Sequence, residues 1–193
     1  MLYKFLKIVL SVLVRIIYRW DVTGREHIPA EGAYLLCSNH IHAFDPVMIA
    51  VFSRRQPRFM AKKEIFEKKF LGWLVTTLGA FPIDRGTADM KAFRHSLDLL
   101  KHGHGMLIFA QGTRMEGFED AKRGVAVFAL KSGAPIIPIA LRGSYKLFSK
   151  MIIHIGEPIL MDEYAGQKVK TELVEEVMMK VVDKITNLQL QNL

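Results

Sequence analysis

The sequence predicts an α/β domain built on a mixed, largely parallel β-sheet with helices on both faces. Short apolar, strand-like runs alternate with stretches of helical periodicity over most of the chain. Gly79, Gly105, Gly133 and Gly143 fall where these runs end, as chain reversals require. No internal repeat, low-complexity segment or linker divides the 193 residues, so one domain follows the N-terminal segment.

The N-terminal segment, residues 1–20, reads as a separate amphipathic helix. Lys4, Lys7, Ser11, Arg15 and Arg19 fall within an arc of roughly 120° at about 100° per residue. Leu, Ile, Val and Phe fill the remaining face. This pattern predicts a basic helix lying in a membrane interface. The longest uncharged run, residues 8–14, is far shorter than the ~20 residues of a membrane span. Charges run through the apolar part and no small-residue cleavage site precedes Trp20-Asp21, which argues against a signal peptide. Packing on the domain with the basic stripe in water is the competing arrangement.

Residues 21–193 form the α/β domain. The strands are predicted at 33–37, 58–61, 80–83, 106–109, 136–141 and 151–155. Helical patterns occupy 46–52, 63–77, 88–102 and 125–132. A last helix covers 168–186, with Val169, Leu173, Val177, Val181 and Ile185 on one face. In a parallel sheet the active site lies at the carboxyl ends of the strands. His40, Asp84-Arg85 and Gln111 to Arg114 all follow strand-like runs, so they converge on one sheet edge.

Half the residues are hydrophobic and the net charge is +8, with a sequence pI near 9.6 and a positive mean hydropathy. A basic, apolar chain suits an anionic membrane surface at least as well as nucleic acid. The densest charge lies at Arg54, Arg55, Arg58, Lys62, Lys63, Lys68 and Lys69, interleaved with Phe59, Ile65, Phe66, Phe70, Leu71 and Trp73. An anionic membrane surface or another acidic partner is preferred for this stretch. A solvated face competes with that reading, and nucleic acid is not expected. The single cysteine, Cys37, excludes an internal disulfide. No Cys and His spacing makes a zinc site, so no metal is expected.

The motif richest in chemistry is Ser38-Asn39-His40-Ile41-His42-Ala43-Phe44-Asp45-Pro46. A histidine near neutral pH takes a proton from a hydroxyl, and a carboxylate on its far ring nitrogen fixes the tautomer and stabilises the imidazolium. His40 and Asp45 fit those roles. Asp45-Pro46 also reads as an N-cap followed by a first helical residue, which would fold the chain back between them. A plain helix cap and a satisfied loop histidine fit the same spacing.

Three further blocks follow in order: Phe81-Pro82-Ile83-Asp84-Arg85-Gly86, Phe109-Ala110-Gln111-Gly112-Thr113-Arg114, and Ala134-Pro135-Ile136-Ile137-Pro138-Ile139-Ala140. Together with the first, they resemble the NHxxxxD glycerolipid acyltransferases, the 1-acyl-sn-glycerol-3-phosphate (lysophosphatidic acid) acyltransferases, over about residues 22–159. The resemblance implies the glycerol-3-phosphate acyltransferase-like sandwich. It also implies transfer of a fatty acyl group from an acyl thioester to the 2-hydroxyl of 1-acyl-glycerol-3-phosphate, giving phosphatidic acid. Acyl-CoA or acyl carrier protein would serve as co-substrate without a further cofactor. The enzyme would sit on the cytoplasmic face of the cell membrane, peripheral or monotopic.

Within the resemblance, Arg85 and Arg114 match arginines that bind the acceptor phosphate, for which a planar, permanently charged fork is suited. Gly112 permits close backbone approach and Thr113 supplies a further donor. The family's third block reads Glu-Gly-Thr-Arg after proline, whereas this chain has Ala110 and Gln111. Glutamine keeps the size and hydrogen bonds but not the charge, so Gln111 is expected to position substrate rather than titrate. Acylation of another lysolipid, such as a lyso-ornithine lipid or other lysophospholipid, and non-catalytic lipid binding are the alternatives. No G-x-S-x-G elbow is present, and no covalent acyl-enzyme is expected.

Overall fold

The computed structural model describes residues 2–84, 89–110 and 119–191. Helix α1 (Leu2–Ile17) is followed by strand β1 (Arg19–Thr23). Strand β2 (Tyr34–Ser38), helix α2 (Asp45–Phe52) and strand β3 (Pro57–Lys62) come next. Helices α3 (Lys63–Glu67) and α4 (Lys69–Thr77) lead to β4 (Ala80–Ile83), α5 (Met90–Lys101) and β5 (Gly105–Phe109). The remainder is α6 (Glu119–Ser132), β6 (Ile136–Gly143), β7 (Lys150–Ile155) and α7 (Thr171–Leu190).

The strands form one sheet in the order β1-β7-β6-β2-β5-β3-β4. Every pairing is parallel except β6 with β7. The carboxyl ends of β2 to β6 therefore share one edge of the sheet. Because β7 and β1 run the other way, their amino ends lie at that same edge, along with the end of α1. Tyr34 faces Gly105 in the β2–β5 register, where a Cβ would sit 1.9 Å from the tyrosine ring. This position therefore needs glycine.

Two hydrophobic cores cover the two faces, as the alternating pattern requires. On one face Leu36, Leu107, Ile137 and Ile139 pack under α1, α2 and α4, which contribute Val14, Met48, Ile49 and Val75. On the other, Leu35, Cys37, Met106 and Ile136 meet α5, α6 and α7 through Leu100, Ala126, Phe128, Val177 and Val181. Strand residues 35, 36 and 37 alternate between the cores with the two-residue period of a strand.

Four elements differ from the sequence reading. β1 is an additional edge strand, and its Trp20 and Val22 pack against the core beside α1. The predicted helix 63–77 breaks at Lys68, whose ψ of 104° is extended. On either side of the break Ile65 and Phe66, and Leu71, Leu74 and Val75, all reach the same core. Gly72 permits the tight corner, since a Cβ there would lie 2.7 Å from the Phe66 carbonyl oxygen. Helix α6 begins six residues before the predicted Val125, at Glu119, and α7 is shifted toward the C-terminus.

Candidate active site

The motif segment leaves β2 at the carboxyl edge of the sheet. Asn39 is buried and clamps this exit to β6. Its Nδ2 donates to the Leu141 carbonyl at 2.9 Å and its Oδ1 accepts the Leu141 N–H at 2.7 Å. The loop then turns tightly, with Asp45 N–H donating to the His42 carbonyl at 2.9 Å, and α2 begins with Pro46 in its first turn.

The turn brings His40 and Asp45 together. His40 Nδ1 lies 2.7 Å from Asp45 Oδ2, which also accepts the Ile41 and His42 N–H groups at 2.7 Å each. Asp45 Oδ1 accepts the Tyr145 hydroxyl at 2.6 Å. An ionised carboxylate only accepts, so Nδ1 carries a proton, and in the neutral imidazole this leaves the lone pair on Nε2. The Asp45 side chain is 0% exposed and that of His40 is 21% exposed, so the imidazole reaches solvent while its carboxylate partner does not.

Asp45 does not act as the predicted N-cap. Phe44 holds that position, and no side-chain cap bond is made. The Asp45 oxygens are fully engaged by His40, the two loop N–H groups and Tyr145. Burial pushes its carboxyl up, but these bonds outweigh burial and hold it below the ordinary aspartate value. Burial and then the bond to Asp45 push the Tyr145 phenol up, so it stays a donor.

Aromatic rings fix the rest of the loop. The His40 ring stacks on Phe109, the last residue of β5, with centroids 4.3 Å apart. His42 stacks on Tyr145 at 4.3 Å and on Phe44 at 5.4 Å, and Tyr18 meets Tyr145 edge-on at 5.9 Å. Sequence reasoning missed Asn39, Phe109 and Tyr145 as site residues. Tyr145 lies 100 residues from Asp45 and carries no local signal; it belongs to the β6–β7 connection, which the antiparallel turn returns to the His40 edge of the sheet.

Ala110 N–H donates to the Ser38 carbonyl at 2.8 Å, so β5 ends beside the exit of β2. Arg85, Gln111, Gly112, Thr113 and Arg114 lie outside the described residues. Asp84 is exposed, and its N–H donates to Asp89 Oδ2 at 3.2 Å. Asp89 caps α5, accepting from the Lys91 and Ala92 N–H groups. Pro135 and Pro138 shape β2 and β6 contacts: Pro135 O accepts from Leu35, and Pro138 pairs with Cys37. Arg123, which follows the third block, pairs with Glu175 at 2.8 Å on the surface.

The basic stretch 54–69 is split between opposite edges. Lys62, Lys63, Lys68 and Lys69 are exposed at the carboxyl end of β3. Arg54, Arg55 and Arg58 lie at its other end. Arg55 is structural there: it donates to the Pro29, Gly32 and Gly103 carbonyls and covers the Tyr34 ring. Among the described residues, no group of three or more His, Cys, Asp or Glu is placed to hold a metal.

Comparison with known proteins agrees with this architecture. Residues 19–142 match the Acyltransferase family model. The chain is 31% identical over 178 residues to the 1-acyl-sn-glycerol-3-phosphate acyltransferase of Bacillus subtilis (strain 168), covering 89% of each chain. It is 28% identical over 195 residues to that of Streptococcus pneumoniae (strain ATCC BAA-255 / R6), covering 94% of this chain and 70% of the relative. Its fold matches the crystal structure of the 1-acyl-sn-glycerophosphate (LPA) acyltransferase PlsC from Thermotoga maritima with a TM-score of 0.71 at 24% identity. That match covers all of this chain and 80% of the other. The chain belongs to the Acyltransferase family.

Proposed function

We propose that this protein acylates the 2-hydroxyl of 1-acyl-glycerol-3-phosphate from an acyl thioester, giving phosphatidic acid, with His40 as general base. The observation that carries the reading is the His40–Asp45 pair at 2.7 Å, at the strand edge of a chain whose relatives bear that activity in their names. His40 Nε2 takes the proton of the acceptor hydroxyl as its oxygen attacks the thioester carbonyl. Asp45 stabilises the imidazolium that forms. Collapse of the tetrahedral intermediate forms the ester and expels the thiolate, which takes the proton back from His40. No enzyme nucleophile is needed. Cys37 is buried in the sheet, and burial pushes its thiol up to about 12.

Arg85 and Arg114 bind the acceptor phosphate in this reading, and Gln111, Gly112 and Thr113 position the glycerol end. Coenzyme A or acyl carrier protein carries the acyl group.

The enzyme works on a membrane surface. Tyr3, Leu6, Leu10 and Val14 of α1 pack on the domain, whereas Leu2, Phe5, Ile8, Val12, Leu13 and Ile16 face outward and exposed. Sixteen helical residues span about 24 Å, and no helix among the described residues is long and apolar enough to cross a membrane. The outward face continues to the site. Phe148 N–H donates to the Ile17 carbonyl, exposed Leu147 and Phe148 follow Tyr145, and exposed Ile41 and Phe44 flank His42. An acceptor held by its chain in the outer lipid layer would thus meet His40 without leaving the membrane.

The test is thiol release from palmitoyl-coenzyme A, and in parallel from palmitoyl-acyl carrier protein, against a panel of lysolipids in detergent. Release that requires lysophosphatidic acid is expected. Release driven only by a lyso-ornithine lipid or another lysophospholipid overturns the acceptor assignment. Vesicle binding without release from either donor overturns the enzymatic one.

A further inference from the structure

A cationic cleft lies on the α1 side of the domain, away from the His40 edge. Lys7, Arg15, Arg25 and Arg54 line it together with Glu26 and Phe52, around a cavity of about 370 Å³. The Arg15 and Arg25 guanidinium carbons lie 5.9 and 5.5 Å from the centroid of that one ring, so two like charges are held together. Among the described residues, none of the four cations makes an ion pair. Arg25 Nε is buried without a hydrogen-bond partner. Lys7 Nζ is aimed inward and donates to the Ser53 carbonyl. Burial first, then repulsion from Arg25, pushes the Lys7 ammonium down, and burial with repulsion from Arg15 does the same to Arg25. Four clustered cations, one with an unused donor, share the cleft with the single carboxylate of Glu26 and pair with none, so positive charge is in excess there.

We propose that this cleft binds the phosphate of an anionic phospholipid headgroup, at a site separate from the catalytic one. Arginine forks and an ammonium match the several acceptor oxygens of a phosphate. The position of α1 selects the lipid source. Lys7, Ser11 and Arg15 recur every four residues and form one edge of the helix, between its exposed apolar face and the cleft. A helix lying in the interface with its apolar face in the acyl region holds that edge at headgroup depth. The bound lipid's chains run along Phe5, Ile8 and Val12 while its phosphate enters the cleft. The site would orient the protein on the bilayer, and it rests on the membrane reading of α1.

The test is partition onto phosphatidylcholine vesicles with and without phosphatidylglycerol. Arg15→Gln/Arg25→Gln is compared with Lys4→Gln/Arg19→Gln, which removes equal charge from exposed positions outside the cleft. The cleft pair should lose about tenfold more partition onto anionic vesicles than the control pair, a difference of about 1.4 kcal/mol. Both should bind neutral vesicles like the wild type. Equal losses would mean that only net charge matters and would overturn the site while leaving the membrane reading intact. Absence of wild-type binding to either vesicle would overturn both. Inorganic phosphate that raises the wild-type melting temperature but not the cleft variant's, with equal vesicle losses, would make this a free-phosphate site and refute the lipid assignment. Circular dichroism checks folding. The single Arg15→Gln change, on an exposed side chain, repeats the comparison against Lys4→Gln should the Arg25 change unfold the chain.

Discussion

Replacing Asp45 with asparagine separates the charge of this residue from its geometry. Three N–H donors converge on Oδ2 at 2.7 Å, so the asparagine oxygen will occupy that place. Its NH2 then faces the Tyr145 hydroxyl, whose oxygen can accept. The His40 ring and its tautomer therefore persist, and the negative charge is what disappears. The imidazolium formed during proton transfer would lose a carboxylate about 4 Å from its charge centre, worth about 4 kcal/mol at an effective dielectric near 20. Water at the 21%-exposed His40 side chain screens part of this. Turnover should fall about 10²–10³-fold, measured as lysophosphatidic-acid-dependent thiol release, with folding retained. A folded variant within threefold of the wild type would refute a charge-stabilising role for Asp45. The sign with pH is also fixed. Because its carboxyl is held below the ordinary value, Asp45 stabilises the fold fully above the unfolded value of about 3.9. That contribution is lost as pH falls through the lower folded value. The asparagine variant should lose less stability than the wild type across this acid window.

Tyr145→Phe keeps the ring stacked on His42 but removes a 2.6 Å bond to a buried carboxylate. Urea unfolding should show a loss of about 1.5–3 kcal/mol, and turnover should fall less than in Asp45→Asn. Unchanged stability would mean that the bond contributes nothing to holding Asp45. Cys37, fully buried with its thiol pushed up to about 12, should resist a disulfide exchange reagent at neutral pH until denaturant is added. Native labelling accompanied by loss of turnover would contradict a mechanism without an enzyme thiol.

The alternation of strand and helix was legible because strands buried on both faces read as continuous apolar runs, such as Leu35-Leu36-Cys37 and Ile136 to Leu141. The His40–Asp45 pair was legible because five residues and a proline-started helix suffice to close the turn. What local pattern hid was long-range. The edge strand Arg19–Thr23 is short, carries Asp21, and takes its partner from β7, far along the chain. The break at Lys68 depends on which apolar side chains the sheet will accept, not on helix propensity. Tyr145 and Phe109 become site residues only when the sheet order sets β5 and the β6–β7 turn beside β2. The basic run 54–69 looks uniform in sequence, yet β3 carries its two halves to opposite edges and commits Arg55 to backbone carbonyls.

The most direct test of the central claim is the effect of His40→Ala on thiol release from palmitoyl-coenzyme A in the presence of lysophosphatidic acid. With His40 as general base, release should fall about 10²–10⁴-fold while the variant stays folded. Release at the wild-type rate by the folded variant would contradict it.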